Sequence, residues 1–373
     1  MKIAVVHEML IKLWWAEKVV EKLLKIFPKA DLFTLIYDEE KVKNIFPKNI
    51  INKQVFSLPT QKRYSWIKKQ RFCLDLMSRS IEQLDFSKYD IVISSSSWFA
   101  HWAITKPETK FIVYSHAPAR YMWDWTNEYK KDIWFDSWIK SYLLNKLFLK
   151  LRQWDYIASK RADLVIANSS NTAKRIWKYH KNKAEILYPP VEVDRFSEKL
   201  NFENKYWDYY IIVSMLAHYK KIEIAIEAFN KMPDKKLLIV WNWDFRWELE
   251  KIAKENTVFV WAKYSKDLVW FLQNAKGLVF PWEEDFWIVP VEALACSIPL
   301  FAYKWWWLLE TNLEWITWEF FQDKNWKDFV ENFEKFDKKV KNNFYKKENI
   351  LTQAKKFWEK EFEKRIKELV FEK

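Results

Sequence analysis

The stretch "YYIIVSMLAHYKKIEIAIEAFNKM", residues 209–232, joins an unbroken apolar run to an amphipathic segment. Its first half is rich in β-branched and aromatic residues, which is typical of a strand buried on both faces. Its second half places Ile222, Ile226 and Phe229 at helical spacing, so it predicts a helix with one apolar face. A buried strand followed by a covering helix is the repeating unit of a parallel α/β sheet.

The same unit recurs along the whole chain and falls into two sets. The first set of predicted strands comprises residues 2–7, 31–37, 90–96, 110–116, 162–169 and 184–190. The second set comprises residues 209–216, 236–242, 257–262, 276–282 and 298–303. Because the Pro-containing segment "YPPVEVDRF" at 188–196 separates them, we predict two doubly wound domains. In such folds ligands bind beyond the carboxyl ends of the strands, so a cleft between the domains is the expected site.

The composition narrows the class of protein. A chain of 373 residues with 63 Lys and Arg against 50 Asp and Glu has a formal net charge of +13, which favours anionic partners such as nucleotide phosphates, nucleic acid or an anionic membrane. A solvated basic surface explains the same charge, since the lysines are spread along the chain. Cys73 and Cys296 lie far apart in apolar stretches, which predicts buried thiols and a cytosolic compartment. The N-terminal "MKIAVVHEML" reads as a first strand, and no apolar run is long enough to span a membrane.

The most informative segment is "FPWEEDFWIVPVEALAC", residues 280–296. It reads as a strand end, an acidic loop with Glu284, and a helix that carries Pro290 in its first turn and Glu292 further along. A carboxylate there can accept hydrogen bonds from sugar hydroxyls, and the free amides of a helix N-terminus can bind phosphate. The alternative is an exposed acidic loop followed by a glutamate on a helix face.

Five motifs in a consistent order carry a family resemblance over essentially the whole chain. "EEDFWIVPVEALA" resembles the Glu-x-Phe-Gly-x-x-x-x-Glu signature of the family 4 retaining glycosyltransferases, with Trp287 where the family has Gly. "VSMLAHYKKIEIAIEAF" resembles the family's Ser-Arg-Leu-x-x-x-Lys stretch, and "YPPVEVDRF" is similar to its interdomain hinge. "SHAPARYMWDW" and "ANSSNTAKRI" resemble segments of bacterial polysaccharide mannosyltransferase-like members.

The resemblance implies the GT-B fold, in which two doubly wound Rossmann-like α/β domains face a cleft. Residues 1–190 would form the acceptor-side domain, 191–350 the sugar-nucleotide domain, and 351–373 a helix that packs back on the first domain. The implied activity is retaining transfer of a hexose, with mannose favoured, to a glycan or lipid-linked saccharide in polysaccharide biosynthesis. The donor would be GDP-mannose or a UDP-sugar. Neither a metal nor another cofactor is expected, and the five His and two Cys suggest no ligand cluster.

The resemblance also assigns residues to the site. Glu284, His116 and Lys220 are expected to take part in the chemistry, with Lys220 on the donor phosphates. The expected donor contacts are Ser214, Lys220, Lys221, Glu284, Phe286, Trp287, Ile288, Val289, Glu292, Trp14, Trp15 and Arg120. Met215 stands where the family has a second phosphate-binding cation, an Arg. Either Lys221, Arg246 or another cation replaces that Arg, or catalysis is weaker than in relatives.

The tryptophans are the chief anomaly, since the chain has 26 Trp and a single Gly. Trp stands where the family pattern has Gly at positions 14, 15, 241, 243, 282, 287, 306, 307, 315 and 318. Those positions are turns and phosphate loops, where the absence of a Cβ is what permits the backbone to turn or to approach a ligand. We therefore hypothesise that UGA codons meaning Gly in the source organism are read here as Trp. Trp123 and Trp154 are expected to be true tryptophans, and a Trp-rich stacking surface is the alternative explanation.

Three classes of function were weighed. A non-catalytic GT-B relative that acts as a binding or scaffold subunit is the main alternative to the enzyme, because Met215 replaces the family Arg. A nucleic-acid binder is not favoured, because no nucleic-acid-binding motif is present. Residues 139–161 carry Leu among Lys and Arg, which is compatible with an interfacial helix on the anionic inner face of the cytoplasmic membrane. A core helix with a basic outer face is the favoured interpretation of that segment.

Overall fold

The computed structural model describes residues 1–11, 15–42, 46, 74–127, 138–198, 200, 206, 208–216, 220–241, 246–261, 266–282, 288–304 and 317–372. The chain divides into two compact units. Unit 1 consists of Met1–Tyr188 and Glu363–Lys373, and unit 2 consists of Pro189–Phe362.

Unit 1 is built on a six-stranded parallel sheet in the order β2-β1-β3-β4-β5-β6. The strands are β1 (Ile3–Leu10), β2 (Asp31–Tyr37), β3 (Ile91–Ser96), β4 (Lys110–Ser115), β5 (Leu164–Ala167) and β6 (Glu185–Ile186). The helices are α1 (Trp15–Ile26), α2 (Glu39–Val42), α3 (Leu74–Glu82), α4 (Trp138–Ala158) and α5 (Ser170–His180), with short 3₁₀ helices at Ala100–Trp102 and Ser159–Arg161.

Unit 2 has a second six-stranded parallel sheet, in the order β12-β11-β10-β7-β8-β9. Its strands are β7 (Tyr209–Ser214), β8 (Lys236–Trp241), β9 (Thr257–Trp261), β10 (Leu278–Phe280), β11 (Leu300–Tyr303) and β12 (Trp318–Phe321). Its helices are α6 (Val193–Ser197), α7 (Ile222–Phe229), α8 (Arg246–Ile252), α9 (Lys266–Gln273), α10 (Ile288–Ala295), α11 (Trp326–Lys341) and α12 (Lys347–Lys355). The last helix, α13 (Glu359–Phe371), begins in unit 2 and ends in unit 1.

The strand and helix predictions for residues 209–232 are confirmed. Five of the six residues of β7 are buried and Val213 is half-buried, as expected of a central strand. In α7 the three residues at helical spacing, Ile222, Ile226 and Phe229, are buried. The ring of Phe229 packs edge to face on Phe333 of α11, with 5.0 Å between ring centroids. The apolar face of α7 therefore packs against α11 in the core of unit 2.

Gly277, the single glycine of the chain, precedes β10 at a crowded point of this core. A Cβ at this position would lie 2.9 Å from Cζ of Phe336 and 3.1 Å from the carbonyl oxygen of Pro299. These separations are shorter than normal van der Waals contact. A side chain at position 277 would therefore displace the ring of Phe336 on α11 or the backbone at Pro299.

Two predicted elements are corrected by the structure. The tail was expected to be one helix, but it is divided into α12 and α13 by a break at 356–358, where Trp358 forms a bridge with Val191. The predicted apolar face is nevertheless buried, and it comprises Phe357, Phe362, Ile366 and Val370. Strand β12 was not predicted, because "LEWITWEFF" was interpreted as a turn. It pairs in parallel with β11, and its inward residues Trp318 and Phe321 are buried.

The end of α13 is attached to unit 1 by both polar and apolar contacts. The ammonium of Lys110 donates to the carbonyl oxygens of Leu369 at 3.1 Å and Val370 at 3.2 Å. The ring of Phe371 meets that of Phe27 with 6.0 Å between centroids. Among the described helices, none has the length and apolar character needed to cross a membrane.

Candidate functional site

The strand order of unit 2 defines a topological switch point at its first strand. The chain runs from β7 outward to β8 and β9 on one side, and then returns to place β10, β11 and β12 on the other. Connections that leave the sheet in opposite directions open a crevice between the carboxyl ends of β7 and β10, which is where doubly wound folds bind ligands. Ser214 ends β7 at this edge, and Pro281 and Trp282 follow β10.

Lys220 joins the two sides of this switch point. Its side chain is fully buried, and its ammonium lies 5.0 Å from the centroid of the Trp282 indole ring, a cation–π contact. One partner comes from the loop after β7 and the other from the loop after β10. A buried cation is thus placed at the edge where the fold predicts a ligand, which fits an anionic group.

Helix α10 supplies the remaining described residues of the predicted donor site. Ile288 and Val289 form its first turn, where backbone N–H groups have no intrahelical partner. Glu292 follows one turn later and is buried. Burial raises the pKa of the nearby Cys296 thiol, and the charge of Glu292 adds to this. Cys296 is therefore a neutral thiol, and it is not part of a disulfide.

The other cations proposed for the phosphate site have partners of their own. Lys221 is exposed, adopts a left-handed backbone conformation with φ of 49° at the start of α7, and lies 3.6 Å from Glu223. Arg246 begins α8 and pairs with Glu250 on the same helix. Of the predicted site residues, Trp14, Glu284, Phe286 and Trp287 lie outside the described residues.

Unit 1 has an equivalent switch point between β1 and β3, since β2 lies on one side of β1 and β3 to β6 lie on the other. Glu8 of β1 is buried there, and its Oε1 accepts hydrogen bonds from the backbone N–H groups of residues 97–100 at 2.6–3.1 Å. Although burial alone raises the pKa of this carboxyl, His7 and the N–H donors lower it below the ordinary value. The ionised Glu8 therefore fixes the loop that follows β3.

Two histidines meet Ser95 at the same edge. Nδ1 of His7 lies 2.7 Å from the carbonyl oxygen of Ser95, and Nε2 of His116 lies 2.8 Å from the Ser95 hydroxyl. Burial lowers the pKa of His7, but hydrogen bonding and charge from Glu17, with the charge of Glu8, leave it above 6.5. Burial and the charge of His7 lower the pKa of His116 to about 3. His116 is thus a neutral imidazole at neutral pH.

Three residues predicted for the site lie in segments that follow strands of the unit 1 sheet. His116 comes directly after β4, and Arg120 lies four residues further on, with its guanidinium 4.4 Å from the centroid of the Trp125 ring. Trp15 begins α1, and the ammonium of Lys18 lies 4.8 Å from its ring centroid. The structure thus brings His116 to the switch point of unit 1, and it places Ser214, Lys220 and α10 at that of unit 2.

Sequence analysis missed His7, Glu8 and Ser95 as candidates for the site. His7 and Glu8 interrupt the apolar strand β1, and Ser95 lies in the run of serines that ends β3. Neither pattern by itself shows that these residues meet at one edge of the sheet. The expectation that the histidines form no cluster is also wrong, because the structure brings His101 and His180 to the carboxylate of Asp155. These residues are 54 and 25 positions from Asp155 in the chain, so their spacing could not reveal the cluster.

Comparisons with known proteins agree with this architecture. The model described as "Glycosyltransferase Family 4" matches residues 16–195, and the model described as "Glycosyl transferases group 1" matches residues 192–357. Together they span both units, so the chain is a glycosyltransferase family 4-like protein. A search of the curated proteins finds no significant match.

Solved structures match the chain over nearly its whole length. HepE from Anabaena, in complex with UDP and glucose, has a TM-score of 0.70 at 13% identity, covering 99% of each chain. Sucrose-phosphate synthase from Thermosynechococcus elongatus has a TM-score of 0.68 at 13% identity, covering 99% of this chain and 98% of that one. WaaG, a glycosyltransferase involved in lipopolysaccharide biosynthesis, has a TM-score of 0.63 at 11% identity, with full coverage of both chains. The predicted fold class, GT-B with two Rossmann-like units, is confirmed.

Proposed function

We propose that this protein transfers a hexose from a nucleotide sugar to a glycan or lipid-linked saccharide, with retention of the anomeric configuration. The observation that carries the proposal is the buried Lys220 at the switch point of unit 2. Transfer releases a nucleoside diphosphate, and the negative charge that develops on it must be stabilised by preorganised cations or N–H groups. Lys220 and the first turn of α10 would supply both.

The remaining residues would orient the donor and the acceptor. The carboxylate of Glu292, buried on α10, would accept hydrogen bonds from hydroxyls of the ribose or the sugar. His116, neutral because its pKa is about 3, would accept or donate a hydrogen bond at the sugar without adding charge. Glu284 and Arg120 remain assigned to the donor by resemblance alone.

Uridine and guanosine diphosphate sugars are the two donor classes to compare. HepE, which has a similar fold, has been crystallised in complex with UDP-glucose, and this supports testing UDP-sugars first. The segments "SHAPARYMWDW" and "ANSSNTAKRI" resemble mannosyltransferases, which keeps GDP-mannose as the second donor. A thermal-shift screen should show stabilisation by one nucleotide diphosphate and its sugar, because a ligand that binds only the folded state raises its stability.

We further propose that most of the 26 tryptophans are glycine in the native protein. Two observations support this. Trp318 stands at a family glycine position and is fully buried, yet its indole N–H has no hydrogen-bond partner among the described residues, which costs about 1–3 kcal/mol. Trp123, where the family accepts Trp, donates instead to Asp155 at 2.8 Å. The one encoded glycine, Gly277, occupies a position that has no room for a Cβ.

Peptide mass spectrometry of protein from its natural source tests this directly. Glycine at positions 305–307, where the sequence has three successive Trp, is the expected result, and tryptophan there would refute the proposal. The chain with the residues that this measurement finds is called the mass-verified chain below, and all variants are made in it.

The non-catalytic alternative is favoured by one observation, namely that Met215 replaces the family's second phosphate-binding cation. Met215 follows Ser214 at the end of β7 and is half-buried. A scaffold subunit would bind a nucleotide sugar without releasing its diphosphate. Release of UDP or GDP by the mass-verified chain separates the two functions.

We also propose that α4 places unit 1 on an anionic membrane. Its inner face is buried through Phe148 and Leu151, so the helix does belong to the core. Its outer face nevertheless exposes Tyr142, Leu149 and Ile157, at 61%, 54% and 53%, among the exposed lysines 146 and 150. Large apolar side chains surrounded by Lys are typical of helices that lie in the interface of an anionic bilayer.

A further inference from the structure

The carboxylate of Asp155 is a buried junction for three parts of unit 1. Asp155 lies on α4 and is fully buried. Its Oδ1 lies 2.9 Å from Nε2 of His101 and accepts a hydrogen bond from the indole N–H of Trp102 at 3.0 Å. Its Oδ2 lies 2.7 Å from Nε2 of His180 and accepts a hydrogen bond from the indole N–H of Trp123 at 2.8 Å. Each oxygen thus has one indole N–H donor and one imidazole nitrogen within hydrogen-bond distance, and these contacts offset the cost of burying the carboxylate.

One of these donors belongs to the segment that carries the predicted site. We call residues 116–126 the His116 loop, because it begins with His116 and includes Arg120. Trp123 lies in the turn of this loop, and its ring stacks on Tyr179 of α5 with 4.8 Å between centroids. The hydrogen bond from its indole N–H to Asp155 therefore holds the His116 loop against α4.

Further hydrogen bonds from α4 and α5 hold the backbone of the same loop. Arg152, one turn before Asp155 on α4, donates to the carbonyl oxygen of Met122 at 2.9 Å. Arg175 of α5 donates to the carbonyl oxygen of Pro118 at 3.1 Å and to the carboxylate of Asp124 at 2.8 Å. A loop tied at both its centre and its ends keeps the side chains that it carries in one position.

Asp155 is also connected to the opposite side of the switch point. Nδ1 of His101 lies 2.9 Å from the hydroxyl of Ser96, and that hydroxyl lies 3.1 Å from Oε1 of Glu8. Glu8 in turn fixes the loop after β3. A single carboxylate therefore links the loop after β3, which borders the unit 1 switch point, with the loop after β4.

We propose that Asp155 is a positioning residue, which sets the place of His116 and Arg120 through its hydrogen bond to Trp123. The inference rests on the proposed function, since it assigns these two residues to the donor and acceptor. The proposed effect of Asp155 on both residues is indirect, through Trp123. A displacement of about 1 Å in a loop that positions substrate can lower turnover by roughly 10².

The test compares three variants of the mass-verified chain. Asp155→Asn keeps the shape of the side chain but presents N–H groups to N–H donors, and Trp123→Phe removes only the indole donor. Asp337→Asn is the control, because Asp337 is a buried carboxylate of unit 2 that accepts from the hydroxyl of Tyr210 at 2.5 Å and pairs with Lys341 at 2.7 Å. The measurements are kcat and KM per folded molecule, the melting temperature, and the imidazole NMR signals of His116.

We expect kcat to fall about 10² in Asp155→Asn and Trp123→Phe with little change in KM for the donor, and no further fall in the double variant. The His116 signals should shift in both variants but not in Asp337→Asn. An equal loss of kcat in Asp337→Asn, or unshifted His116 signals, would overturn the inference. So would one equivalent of metal bound at His101, Asp155 and His180. If the unvaried chain transfers no sugar, the proposed function fails, while the His116 signals still decide this inference.

Discussion

Lys220 is the residue on which the proposed chemistry depends most. It is buried at the switch point of unit 2, and Met215 stands where the family places a second cation on the diphosphate. We expect Lys220→Ala to lower turnover by about 10² to 10³, the usual effect of removing one preorganised group from a leaving group. Steady-state release of nucleoside diphosphate measures this, and Lys236→Ala, at an exposed position of β8, is the control.

The converse variant, Met215→Arg, distinguishes a weakened enzyme from an inactive relative. We expect higher turnover or tighter donor binding, since the new guanidinium would share the charge of the diphosphate with Lys220. If Met215→Arg brings no gain and Lys220→Ala brings no loss in a protein that binds a nucleotide sugar, the phosphates are held elsewhere.

Glu292 tests the sugar end of the donor. If its carboxylate accepts hydrogen bonds from donor hydroxyls, Glu292→Gln should weaken binding of the nucleotide sugar by about 1.5–3 kcal/mol, the worth of a charge-assisted hydrogen bond. Because Gln preserves the volume of the buried side chain, the melting temperature of the free protein reports any separate effect on folding. Equal calorimetric affinities of the two proteins for every donor would reject the assignment.

His7 should make stability depend on pH with a definite sign. Its pKa in the folded state lies above 6.5, so its contribution is fully present below pH 6.5 and is lost as pH rises through the folded-state pKa. The free energy of unfolding should therefore fall more steeply in the native chain than in His7→Gln as pH rises above 6.5. Parallel urea-unfolding curves for the two proteins would contradict this. His116, with a pKa of about 3 in the folded state, contributes a slope of opposite sign between about pH 3 and pH 6.5, because only the unfolded chain is protonated there.

At the scale of elements, most of the fold could be predicted because unbroken apolar strands and amphipathic helices alternate. The exceptions have local causes. Strand β12 has four residues and follows a segment whose Trp residues were interpreted as a turn. The tail breaks at Trp358, where the bridge to Val191 competes with the helix, and a long-range contact of this kind leaves no trace in helical spacing.

Helix α4 carries the prediction for the membrane. Leu149→Gln together with Ile157→Gln should abolish flotation with vesicles of phosphatidylglycerol and phosphatidylcholine at low salt, because both side chains are exposed on its outer face. The control is Ile104→Gln with Phe344→Gln, which removes two similarly exposed apolar side chains elsewhere, at 48% each. Flotation that is absent in the unvaried chain, or that survives the α4 double variant, would remove the claim.

At the scale of the whole molecule, the strand order of the two sheets explains which residues of the site could be predicted from the sequence. Lys220, Glu292 and His116 lie in motifs that resemble a family, so they were predicted without knowledge of the sheet order. His7, Glu8 and Ser95 become recognisable only when the order β2-β1-β3-β4 brings the ends of β1 and β3 together. The Asp155 cluster requires the packing of α4 against α5 and the 3₁₀ helix at 100–102, which depends on tertiary contacts.

The most direct test of the account is sugar transfer itself. The mass-verified chain is incubated with each UDP-sugar and with GDP-mannose, released nucleoside diphosphate is quantified, and the anomeric configuration of the product is read by proton NMR. We expect release from at least one donor, a product with the configuration of the donor, and turnover lowered by about 10² to 10³ in Lys220→Ala. A folded chain that binds a nucleotide sugar and releases no diphosphate, or a product of inverted configuration, would contradict the account.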